Sequence, residues 1–202
     1  MFERINKQRK QSFKKKHFVR IIKNVVWYCT RCFGYKKEPY VFETENEPNA
    51  LMVIRRSYIR KNAYIIFYDY KKFKKIFGHL DFEGQCSYAM LLIAHEMRHY
   101  FQMRQLDSKK PWVDNELLEE WRKDDEVPMF DVTNKAEQLE HFKRPMELDA
   151  ELFAYWFVAE MQEVLVSTRY ISENYIDEME KHYIRLFGET DEDLFPKDEN
   201  TK

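Results

Sequence analysis

The pentapeptide His-Glu-Met-Arg-His, residues 95 to 99, has the residue types and the spacing that could hold and use a metal ion. In an α-helix, residues four positions apart lie about 40° apart around the axis and one turn apart along it, so His95 and His99 can reach one ion. Glu96 then stands beside that ion, where its carboxylate can take a proton from a metal-bound water. A third ligand would complete a zinc site with one position open for water.

A long helix is predicted to carry this pentapeptide, from Ser87, its expected N-cap, to about Leu106. Apolar residues recur along it at intervals of three and four, and the histidines continue that apolar stripe. The stripe consists of Tyr88, Leu91, Leu92, His95, His99 and Met103. A different interpretation stays open, in which both histidines are hydrogen-bonded core residues and Glu96 pairs with a nearby arginine.

A second helix, predicted from Pro145 to about Leu165, supplies the missing ligand, since proline suits a first helical turn. Glu147 and Glu151 are four residues apart and share one face of it, whereas Asp149 is expected on the opposite, surface side. Two carboxylates on an otherwise apolar helix are costly to bury unless a cation lies near them. We therefore predict Glu147 as the third ligand and Glu151 as the acceptor of an N–H from a ligating histidine.

A zinc-bound water that attacks an amide carbonyl also requires a group that stabilises the resulting oxyanion. Tyr155, one turn beyond Glu151 on the same face, is the first candidate for this catalytic role, and His141 and Arg144 follow. A tyrosine on an apolar helix face is more often a core residue. The predicted cofactor is one Zn²⁺ per chain.

The segments before the histidine helix predict a small sheet. "NALMVIRR" and "AYIIFYDY" are rich in β-branched and aromatic residues and read as strands. Helical periodicity is present in "YKKFKKIF" and "NELLEEWRKD", and a last helix is predicted from about Glu173 to Phe187. The predicted fold class is α+β, mostly helical, with a small β-sheet preceding the histidine helix.

The net charge of −1 over 202 residues conceals a strong asymmetry, because residues 1–37 contain twelve Lys and Arg against one acidic residue. We divide the chain into a basic N-terminal arm (1–39), a central domain (40–190) and an acidic tail (191–202). Such an arm indicates contact with nucleic acid or an anionic membrane, although a solvated leader is the alternative. No membrane span is expected, because no stretch reaches 18 uncharged apolar residues.

Three cysteines without a framework spacing favour a reducing, cytoplasmic environment. Cys29 and Cys32 form a C-x-x-C pair, but a structural zinc site needs four ligands and no second pair is present. Two ordinary cysteines are therefore the preferred interpretation of this pair.

"HEMRH" followed downstream by "ELDAELFA" resembles the gluzincin pattern, H-E-x-x-H and then E-x-x-A-[D/N], of the soluble bacterial ImmA/IrrE-like peptidases. The resemblance covers about residues 50–165 and departs from the pattern at Arg98, where a small residue is usual, and at Glu151, where Asn is usual. It implies a zincin-like domain, zinc held by His95, His99 and Glu147, and Glu96 as catalytic base. It also implies cleavage of a specific cytoplasmic regulatory protein, such as a transcriptional repressor.

The alternative from another functional class is a non-catalytic protein. A metal ion or a hydrogen-bonded polar cluster would then only join the two helices, while the basic arm binds nucleic acid or anionic membrane. Glu96 discriminates between the two hypotheses, because a structural zinc site has no use for an unliganded carboxylate beside the ion.

Overall fold

The computed structural model describes residues 12–45, 51–60, 62–126, 141 and 143–162. The described helices are α1 (Lys15–Cys32), α2 (Tyr70–Phe77), α3 (Phe82–Leu106), α4 (Asn115–Asp125) and α5 (Pro145–Gln162). The described strands are β1 (Tyr40–Glu43), β2 (Met52–Arg56) and β3 (Tyr64–Tyr68). This confirms the predicted α+β class, mostly helical with a small sheet ahead of the histidine helix.

The sheet has the order β1-β3-β2, with β1 parallel and β2 antiparallel to the central strand β3. Strand β3 alternates between buried and half-buried residues, as expected for a strand with one face on the core. Strands β2 and β3 were predicted from their composition. Strand β1 was not, since its four residues are mostly exposed. Strand β2 lies at the sheet edge and packs against α3.

Helix α3 begins earlier than predicted. Its N-cap is Asp81, whose Oδ1 accepts the N–H of Gly84 at 2.8 Å. The predicted cap Ser87 is wrong, because its hydroxyl donates to the Glu83 carbonyl within the helix at 3.0 Å. The segment "DFEG", residues 81–84, therefore forms the start of the helix.

Helix α1 packs into the hydrophobic core, although its residues lie in the segment 1–39 that was predicted to be a basic arm. Phe18, Ile22 and Val26 are buried in the same cluster as the apolar residues of α3, while Arg20 and Lys23 face solvent. The boundary at residue 39 therefore coincides with no break in packing. Residues 1–11, the predicted helix 173–187 and the tail 191–202 lie outside the described residues. None of the described helices is long and apolar enough to cross a bilayer.

A buried ion pair joins helices α3 and α5. Arg98 donates from Nε and Nη2 to the two carboxylate oxygens of Asp149, both at 2.9 Å. Asp149 is only 1% exposed, so its predicted surface position is wrong. The physical reason is that α5 packs against both α3 and α4, which buries more than one of its sides. The guanidinium also lies over the Phe101 ring, 4.7 Å from its centroid.

Replacing Asp149 with Ala is expected to lower the free energy of unfolding by about 3–5 kcal/mol, because Arg98 would stay buried without its carboxylate. The matched control is Asp125→Ala, which removes an Arg–Asp pair in a more exposed setting, where Nη1 of Arg56 contacts both carboxylate oxygens at 3.0 and 3.1 Å. That control is expected to cost about 0–1 kcal/mol. Urea unfolding with a chelator present measures both, and equal losses would contradict the assignment.

Candidate metal centre

Three potential ligand atoms converge between helices α3 and α5. The Nε2 atoms of His95 and His99 are 3.0 Å apart, and Oε2 of Glu147 lies 3.4 Å from each of them. A tetrahedral zinc ion with bonds of 2.0–2.1 Å would hold its ligand atoms roughly 3.3–3.4 Å apart. The two sides that meet at Glu147 have this length, and the third side, between the histidine nitrogens, is shorter at 3.0 Å. The structure brings together the three residues predicted as ligands.

Glu151 lies on the outer side of this triangle. Its Oε1 is 3.5 Å from Nδ1 of His95, the ring nitrogen that faces away from the other two donor residues. Burial raises the pKa of the Glu151 carboxyl, although the nearby imidazoles of His95 and His99 oppose that change. Glu151 therefore lies near the nitrogen whose N–H it was predicted to accept, but the contact is not a hydrogen bond, and His95 Nδ1 has no hydrogen-bond partner among the described residues. Its orienting role stays a prediction.

Glu96 is buried beside the ligand triangle rather than being part of it. Its Oε2 accepts the backbone N–H of Ile54 at 2.7 Å, so the edge strand β2 fixes the carboxylate. Burial raises the pKa of Glu96, while His95 and His99 partly counteract this. A raised pKa suits a general base that must accept a proton and then release it. Sequence reasoning missed Ile54, since a backbone donor carries no residue-type signal.

The candidates for oxyanion stabilisation occupy different positions. Nε2 of His141 lies 3.4 Å from Oε1 of Glu147. Burial and then the charges of Arg144 and the two ligand histidines lower the pKa of His141, although Glu147 opposes them. Arg144 is instead engaged by the carboxylate and the carbonyl of Asp124.

Tyr155 is half-buried and packs against the core on α5. Its pKa is raised by burial and by the charge of Glu151, so its hydroxyl remains a neutral donor. Within the described part of the chain, no hydrogen bond joins it to the three donor residues. Its catalytic role stays a prediction, and His141 is the candidate that reaches the cluster.

The charges of the donor residues depend on one another. Burial disfavours the charged form of His95, but the hydrogen bond to Glu147 and the charges of Glu151 and Glu147 outweigh it and raise the pKa of His95 to about 10. For Glu147, burial is likewise outweighed, by the charges and hydrogen bonds of His99 and His95, and its pKa lies well below the usual range. In the absence of metal, a proton therefore compensates the buried carboxylate.

The C-x-x-C pair lies elsewhere, in the last turn of α1, with Cys29 buried and Cys32 exposed. Burial strongly raises the pKa of the Cys29 thiol, which leaves it protonated and unreactive. In the described ranges, His95, His99 and Glu147 form the one group of three or more side chains placed to share a metal ion.

Comparison with known proteins gives no match to a family model, to a curated protein or to a solved structure. The functional argument therefore depends on the site geometry and on the residues that build it.

Zinc binding at pH 7 is expected to release at least about one proton per ion, because a pKa of about 10 leaves His95 protonated in the metal-free protein. A histidine with an ordinary pKa near 6.5 would release only about a quarter of a proton at that pH. Affinity should accordingly rise about tenfold per pH unit between pH 7 and 9. Calorimetry in buffers of different ionisation enthalpy measures the release, and a value below about half a proton would contradict the coupling.

Proposed function

We propose that this protein is a zinc-dependent metallopeptidase that holds one zinc ion per chain on His95, His99 and Glu147. The observation that carries the proposal is the triangle of donor atoms, 3.0 to 3.4 Å apart, with the buried carboxylate of Glu96 beside it. Structural zinc sites are normally closed by four protein ligands. Three ligands with an adjacent unliganded carboxylate are instead typical of hydrolytic sites.

A bound zinc ion would act as a Lewis acid and lower the pKa of a water molecule at the site. Glu96 is placed to accept a proton from the attacking water and to pass it to the leaving amine of a peptide bond. The hydrogen bond from Ile54 to Oε2 fixes this carboxylate. Glu151, whose Oε1 is 3.5 Å from Nδ1 of His95, would accept the N–H of that ring, and His141 or Tyr155 would supply the donor to the oxyanion.

The non-catalytic alternative, in which the metal only joins two helices, has less support. Helices α3 and α5 are already held by the buried pair of Arg98 and Asp149 and by apolar packing. A metal ion is therefore not required to join them. In that alternative, Glu96 would serve only as the acceptor of the Ile54 N–H.

The substrate is proposed to be a specific cytoplasmic regulatory protein, such as a transcriptional repressor. This rests on the resemblance of "HEMRH…ELDAELFA" to ImmA/IrrE-like peptidases and on the cysteine usage of the chain. The positive charge of residues 1–37 supports contact with nucleic acid or an anionic membrane. On the described part of α1, the exposed Arg20 and Lys23 belong to that charge.

Glu96→Gln is expected to reduce peptide cleavage by about 10²–10⁴-fold while leaving zinc affinity nearly unchanged, because it removes the base but no ligand. The zinc-loaded protein is incubated with a peptide library derived from a proteome digest, and mass spectrometry identifies new termini. Chelation should abolish cleavage and added zinc should restore it.

The matched control for this experiment is Glu83→Gln, which changes an exposed glutamate on the same helix. It is expected to cleave like the unmodified protein. One equivalent of bound zinc together with undiminished cleavage by Glu96→Gln would refute the proposed chemistry. Failure of the chain to bind zinc would refute the metal site itself.

The oxyanion donor is identified by comparing Tyr155→Phe with His141→Asn. Loss of the true donor is expected to lower kcat by about 10²–10³-fold with little change in KM, since the interaction forms only in the transition state. Tyr155 is the donor if only the Phe variant loses kcat. His141 is the donor if only the Asn variant does, and the prediction from sequence would then be wrong.

A further inference from the structure

Gln102 is fully buried between the two helices that carry the proposed ligands. Its Nε2 donates to the Met146 carbonyl at 2.9 Å and to Oδ2 of Asp149 at 2.7 Å. Both hydrogens of the amide are therefore used on α5. The two acceptors fix which end of the side chain is nitrogen and which is oxygen.

The other end of this amide faces a ligand. Oε1 of Gln102 lies 2.7 Å from Nδ1 of His99. An amide oxygen can only accept, so Nδ1 of His99 must carry the hydrogen. The lone pair of the neutral ring is then on Nε2, the atom that lies 3.0 Å from His95 Nε2 and 3.4 Å from Glu147 Oε2.

Asp149 is itself held by a third residue. Arg98 binds both of its oxygens, and Oδ2 accepts from Arg98 Nε as well as from Gln102 Nε2. A continuous chain of hydrogen bonds thus runs from Arg98 through Asp149 and Gln102 to His99. Every member of this chain is less than a tenth exposed, so water competes little for these contacts.

We propose that Gln102 is a positioning residue that presents Nε2 of His99 unprotonated to the metal, with Asp149 holding the amide in the required orientation. This inference rests on the metal site proposed above. Without the acceptor at Gln102, the ring can rotate or place its hydrogen on Nε2, inside the ligand triangle. Groups that orient a ligating histidine typically change metal affinity by about 10–100-fold.

The test compares Gln102→Leu with Gln105→Leu in the full-length chain. Gln105 is a matched control because it is on the same helix, is 2% exposed, and uses both ends of its amide, on Tyr35 and Trp112. Competition with a chromophoric chelator measures the Kd for Zn²⁺. Gln102→Leu is expected to weaken binding by about 10–100-fold and Gln105→Leu by less than about threefold.

Two further measurements separate positioning from general destabilisation. Urea unfolding of both metal-free variants reports the loss of fold stability. Long-range ¹⁵N–¹H NMR of the imidazoles reports whether the Nδ1–H of His99 is present and protected from exchange. Protection is expected in the unmodified chain, and its loss is expected in Gln102→Leu.

Equal loss of zinc affinity in both Leu variants would overturn the inference in favour of a structural role. Unchanged affinity and an unchanged Nδ1–H signal in Gln102→Leu would also overturn it. If the unmodified chain binds no zinc, the proposed function fails. In that case the Nδ1–H signal of His99 in the metal-free protein tests the role of Gln102 separately. Loss of the signal in Gln102→Leu would support the positioning role, and its persistence would overturn that role.

Discussion

Four carboxylates are buried or half-buried at or beside the contact between helices α3 and α5. Each must be compensated, because removing an unpaired carboxylate from water costs several kcal/mol. Asp149 is compensated by the guanidinium of Arg98, and Glu96 accepts a backbone N–H from Ile54. Glu147 is compensated by the imidazoles of His95 and His99. Glu151 has the imidazole of His95 nearby.

The groups that compensate these carboxylates differ in whether a metal ion could take their place. The pair of Arg98 and Asp149 includes neither His95 nor His99, so it does not depend directly on what occupies the histidine cluster. The imidazoles can compensate Glu147 either by holding a proton or by sharing a metal ion with it. The helix contact and the candidate site therefore use different charged groups.

Helical periodicity predicted helices α3 and α5 and the shared faces of His95 with His99 and of Glu147 with Glu151. That these faces meet was predicted instead from the cost of burying two carboxylates without a cation, and the structure brings His95, His99 and Glu147 together. It could not predict that Asp149 is buried, since that depends on α4 packing against another side of α5. Composition did not indicate that α1 packs into the core, because it counts the basic residues of the helix without showing that they are exposed while Phe18, Ile22 and Val26 are buried. The donor to Glu96 was unpredictable, because every residue other than proline carries a backbone N–H.

Arg98 occupies a variable position of the H-E-x-x-H pattern. It is nevertheless connected to the adjacent His99, through Oδ2 of Asp149 and the amide of Gln102. Oδ2 of Asp149 accepts from Arg98 and from Gln102, so the contact that joins the helices and the contact that orients His99 share an acceptor. A displacement of α5 relative to α3 would therefore disturb Glu147 and His99 together. The shared carboxylate of Asp149 thus connects the packing of the two helices to the geometry of the candidate metal site.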